Sequence, residues 1–175
     1  VNTLICFILG ITTIHAQLEN LQPVAEKIHT LTTQNESPFY FEPFLTPDFI
    51  SPSHAPIVKH ATYFEVNTTI LSDIVTNHYG FLEIGLPFNG TTIIIQLTPS
   101  QLFAPDFRVE NSAGEIVQYE AGAHYQGIVK GDNTSIVAIS FYADHIKGII
   151  ATKKDGNIVI ANLKSSHIHT IYQDR

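Results

Sequence analysis

From residue 60 onward, apolar and polar positions alternate in short runs broken by polar turns, a pattern that predicts strands. His60–Val66 is aromatic and β-branched and stops at Asn67, a good N-cap for a short helix over Thr68–Thr76 carrying Ile70, Leu71, Ile74 and Val75. Phe81–Leu86 and Thr91–Leu97 flank Pro87-Phe88-Asn89-Gly90, and Asn-Gly accepts the positive φ angles of a tight hairpin turn. Three more strand pairs follow. Phe107–Glu110 and Glu115–Tyr119 flank 111–114; Tyr125–Val129 and Ser135–Tyr142 flank 130–134; Ile146–Thr152 and Asn157–Asn162 flank 153–156. Together the four hairpins predict an all-β, mainly antiparallel fold with one short helix, its sheet curling into a sandwich or open barrel.

The pattern differs before residue 60. Residues 3–14 form an uncharged apolar run of signal-peptide length, and His15-Ala16 ends in a small residue, so cleavage is expected before Gln17. Leu18, Leu21, Ala25 and Ile28 make one apolar stripe of a short helix that Pro23 weakens. Residues 38–56 then hold Pro38, Pro43, Pro47, Pro52 and Pro56 among Phe39, Tyr40, Phe41, Phe44 and Phe49. Prolines so dense predict an extended connector, and the rings predict that it lies against something. The expected organisation is a signal peptide at 1–16, a helix and proline-rich connector at 17–59, and a β-rich domain at 60–175.

Charge narrows the partners. Nine Lys and Arg against sixteen Asp and Glu give a net charge of −7, with no basic cluster, which argues against nucleic acid and against an anionic membrane surface after signal cleavage. The single cysteine, Cys6, lies inside the signal-type run, so the expected mature chain has no disulfide, thiolate ligand or cysteine nucleophile.

Candidate chemistry is sparse. None of the nine histidines is followed by Glu, so there is no His-Glu-x-x-His zinc helix. His167 and His169 would share one face of a strand and could ligate a metal together, but no third ligand presents itself. Ser135 and Ser140 fall in predicted strands rather than on the strained turn that a nucleophile needs, and no Gly-x-Ser-x-Gly occurs. Gly127 and Gly131 lack the Lys-Ser/Thr and following helix of a phosphate loop, and Lys153-Lys154 reads as a solvated turn. Asn35, Asn67, Asn89 and Asn133 each start an Asn-x-Ser/Thr triplet, yet three of them stand where a turn or cap is expected anyway. No catalytic, cofactor-binding or metal-ligating residue is assigned, and no enzyme activity is expected.

One ordered set of segments carries a resemblance. Leu102-Phe-Ala-Pro105-Asp106-Phe107 leads to a turn at Gly114, then to His124-Tyr125-Gln-Gly127-Ile-Val129-Lys-Gly131 and Ser135-Ile-Val-Ala138-Ile-Ser140. Lys147-Gly148-Ile-Ile150 and Gly156-Asn-Ile-Val-Ile160 close the set, and His169-Thr-Ile-Tyr172 is similar to the tail of the bacterial secreted members. This resembles the propeptide of reprolysin (adamalysin-type) metzincin zinc metalloprotease precursors. The resemblance implies a secreted intramolecular chaperone and inhibitor whose partner is a metalloprotease catalytic domain absent from this chain, with zinc expected only there. The expected mature chain, without Cys6, departs from the family in having no cysteine to cap that zinc. A free-standing secreted β-sandwich for binding or adhesion is the alternative. Read physically, Gly127 leaves room for a neighbouring backbone or ring, while Gly131 and Gly148 are expected at strand ends.

Overall fold

The computed structural model describes residues 21–47, 61–163 and 167–174. The signal-type run with Cys6, as well as Leu18 and Phe49, lies outside them.

The turn chemistry is observed where expected. Asn89 (φ 47°) and Gly90 (φ 74°) join β4 (Leu82–Phe88) to β5 (Thr91–Pro99), both residues in the left-handed region that a two-residue hairpin turn requires. Lys130-Gly131 joins β8 (Ala123–Val129) to β9 (Asp132–Phe141), a tighter turn than the five residues expected. A register shift falls between Gly127 and Val129, and Ser135 stitches it: its Oγ accepts from Val129 N and donates to Asp132 O. β10 (Ile146–Thr152) and β11 (Gly156–Asn162) form the next hairpin, and β12 (His169–Asp174) pairs antiparallel with β11.

The proline-rich run does more than connect. Phe39–Phe41 (β1) pairs in parallel with β4, and Phe44–Leu45 (β2) pairs with β3 (Thr62–Val66), which itself pairs with β12. One sheet of ten strands results, in the order β1-β4-β5-β8-β9-β10-β11-β12-β3-β2. β1 and β2 stand at opposite edges, yet only Glu42 and Pro43 separate them in the chain. Phe41 and Phe44 are three residues apart, so the two edges lie within about 11 Å of each other. That short strap forces the sheet to curl into an open barrel. Pro38 and Pro43 flank these two short strands rather than interrupt them, so neither removes a ladder N–H.

The barrel's inner face is the core: Phe64, Leu82, Ile84, Leu86, Ile95, Leu97, Ile139, Phe141, Ile150 and Ile160 are all buried in one cluster. The helix expected at 68–76 is α2 (Thr68–Asn77), capped by Asn67 Oδ1, which accepts from Thr69 N and Ile70 N; its Leu71 and Ile74 pack into the same cluster. A second helix, α1 (Pro23–Thr33), is started rather than weakened by Pro23, whose missing N–H costs nothing in a first turn. Its Ala25 and Ile28 pack on Phe81 and Ile128 against the outer face. It ends with Asn35 in the left-handed region, where Glu36 N and Asn35 N bond back to Leu31 O and Thr32 O.

Two further expectations need correction. Gly148 sits inside β10, not at its end, because a Cβ there would come within 2.7 Å of Ile139 Cγ1. Of the four expected hairpins, three join the sheet; the fourth, β6 (Val109–Glu110) with β7 (Ile116–Val117), forms a separate two-stranded ribbon. It lies on the excursion between β5 and β8, whose side chains are mostly exposed and give it nothing to pack its faces against. Among the described residues no helix is long and apolar enough to cross a membrane.

Candidate functional site

The paired histidines part company. His169 is 1% exposed and stacks on Phe64, while His167 is exposed. Both His169 ring nitrogens are used: Nδ1 donates to His167 O at 3.1 Å and Nε2 accepts from Ile146 N at 3.3 Å. Burial holds its pKa below the ordinary 6.5, so the ring is neutral at pH 7, as that bonding pattern requires. It is a core residue bridging β12 to the start of β10. Among the described residues no group of three or more His, Cys, Asp or Glu side chains is placed to hold a metal.

Asn67 and Asn89 serve as cap and turn, Lys153 and Lys154 lie in the exposed turn after β10, and Ser135 is consumed by the bulge. Ser140 has a partner that the sequence did not reveal. His124 on β8 lies directly opposite it on β9, and Nδ1 is 2.8 Å from Oγ; Lys147 on β10 is the next residue across. The pair is not a catalytic triad. The hydroxyl stands in a regular strand, and the second ring nitrogen, Nε2, is buried with no hydrogen-bond partner, so no carboxylate orients the ring. Phe103 and Tyr142 meet the His124 ring edge-on instead, with centroids at 5.5 and 6.2 Å.

Those contacts belong to a run of rings along the outside of the barrel. Phe107 stacks on Phe103 at 4.4 Å, Tyr119 meets Phe107 at 5.4 Å, and beyond His124 the Tyr142 ring lies flat on His145 at 4.3 Å. His145 Nδ1 contacts Asp144 at 2.6 Å and holds that carboxyl below its ordinary value. Leu102 is 60% exposed and Phe107 45%, large fractions for apolar side chains flanking so many rings. A groove of about 410 Å³ runs beside them, lined by Ser100, Leu102, His124, Gln126, Ser140 and Lys147. The connector's rings divide differently: Phe41 and Phe44 pack on the core, while Phe39, over Tyr79 at 4.3 Å, and Tyr40 remain about half exposed.

The face is mainly apolar and aromatic, with polar groups in the His124–Ser140 and Asp144–His145 contacts and at Lys147, and no triad or metal-ligand set is assembled among the described residues. Such an arrangement can bind by contact. No family model, curated protein or solved structure matches the chain.

Proposed function

We propose that the chain is a non-catalytic, propeptide-type domain of a secreted zinc metalloprotease precursor. It binds the catalytic domain through the aromatic face, as chaperone and inhibitor, without a thiol on the metal. One observation carries the reading. Of the segments on which the resemblance rests, the β-strand ones build the barrel, but Leu102–Phe107 stands outside it with Leu102 and Phe107 largely exposed. A segment with no large role in the chain's own core and this much apolar surface is suited to a partner. Contact inhibition of this kind covers about 1,200–2,000 Å² in total, with a few aromatic anchors supplying most of the energy.

The test adds the chain in trans to a reprolysin-type catalytic domain. Saturable inhibition is expected, weakened by a Leu102→Ser/Phe107→Ser double substitution. Absence of inhibition by the unaltered chain overturns the reading and leaves a secreted binding or adhesion module in its place.

A further inference from the structure

The β6–β7 ribbon stands apart from the ten-stranded sheet, whose inner face is the buried core. Ile116 is 71% exposed and Val117 37%, on opposite faces of β7, and neither strand has a second neighbour among the described residues. Two-stranded ribbons with so little burial are marginal in water. This one is nevertheless fixed at both ends. At the base, Phe107 and Tyr119 pack on Phe103. At the tip, Asn111 N donates to Glu115 O, Gly114 N to Asn111 O, and Asn111 Oδ1 accepts from both Ala113 N and Glu115 N. Asn111 Nδ2 reaches back to Glu115 Oε2 at 2.8 Å, and Gly114 takes the positive φ of 80° that closes a three-residue loop.

Its charge is one-sided. Residues 100–122 hold Asp106, Glu110, Glu115 and Glu120 against one cation, Arg108, which is already bonded to Glu110 at 2.6 Å. Three features therefore coincide: open strand edges, uncovered aliphatic side chains and a negative rim, on a ribbon whose shape is set before anything binds.

We propose that the β6–β7 ribbon takes an extended, cationic segment of a partner protein as a third strand. Backbone hydrogen bonds align it, alternate aliphatic side chains pack on Ile116 or Val117, and Lys or Arg side chains meet the glutamates. Fixing the tip in advance removes much of the ordering entropy that strand addition otherwise costs. The inference rests on reading this face as a docking surface and does not require the partner to be a protease.

Fluorescently labelled peptides test it on the full chain: an alternating Lys-Val octamer, the same peptide with Pro replacing alternate Val, and an alternating Glu-Val octamer. The Lys-Val peptide is expected to bind and the Glu-Val peptide not to. The proline version, and the Lys-Val peptide on an Ile116→Ser chain, should each bind at least about tenfold more weakly, the scale of one lost aliphatic contact or its alignment. Because Ile116 is so exposed, the substitution leaves the barrel intact. Equal binding of the Lys-Val and proline peptides, or unchanged binding by Ile116→Ser, overturns the proposal, since net charge alone then collects the cations. No binding of the Lys-Val peptide overturns it too. The assay contains no protease: peptide binding without inhibition retires the protease reading alone, and inhibition without peptide binding retires the ribbon alone.

Discussion

At the scale of single residues, absence of a side chain matters as much as presence. Gly127 faces Leu97 in the ladder, and a Cβ there would lie 1.9 Å from Gln96 O, a backbone atom that cannot swing aside. Gly127→Ala is expected to cost about 1–3 kcal/mol or more, read as a lower urea midpoint at unchanged slope. Ionisation gives two further readouts. Burial, with a smaller push from Tyr79, raises the Tyr125 phenol to about 12, and its hydroxyl donates to Tyr79 O. One tyrosine should thus resist ionisation in an ultraviolet titration until about pH 12 and titrate near 10 once the chain unfolds. His169 works in the opposite window. Its folded pKa is below the unfolded 6.5, so its contribution is complete above that pH and is lost as pH falls through the folded value. Stability measured at pH 7 and pH 5 should differ less in His169→Gln than in the unaltered chain.

At the scale of elements, local chemistry decided some outcomes and neighbours decided others. Asn67 caps α2 with two backbone donors, so Asn67→Ala should cost about 1 kcal/mol while Asn67→Asp, which keeps the acceptor, stays near the unaltered stability. Chemical denaturation of the two variants checks this, and equal losses in both would refute the capping role. The cap was legible because its signal is contained in a few adjacent residues. So were the Asn89-Gly90 turn and the alternation of β9 and β10. β1 and β2 were not, since Pro38 and Pro43 suppress a strand signal that only an edge position can rescue. The contact between His124 and Ser140 was hidden for another reason: it depends on the register of two strands, and no local spacing encodes it. The ribbon's length was overread for want of the same knowledge, because residues 107–119 carry strand-like composition but pair with no strand of the ten-stranded sheet.

At the scale of the molecule, the strap of Phe39–Leu45 holds the barrel's edges. It covers β4 on one side and β3 on the other while lodging Phe41 and Phe44 against the core. Removing this segment therefore does not isolate a connector; it uncovers two strand edges and the interior between them. A chain in which residues 39–45 are replaced by an equal length of Gly-Ser should bind a hydrophobic dye and lose its cooperative thermal transition. Retention of a sharp transition at the same midpoint would show that the barrel does not depend on its strap.

The strand order also sets a clock. β3 lies between β2 and β12, so residues 62–66 lack their inner neighbour until residues 169–174 have been synthesised. With about a hundred residues between them, translation at about 5–20 residues per second imposes a wait of roughly 5–20 s. Throughout that interval Tyr63 and Phe64 present an aromatic edge to whatever else is nearby. Residues 169–174 are thus the stave that completes the cask, and any factor shielding nascent segments would act on β3 during that gap.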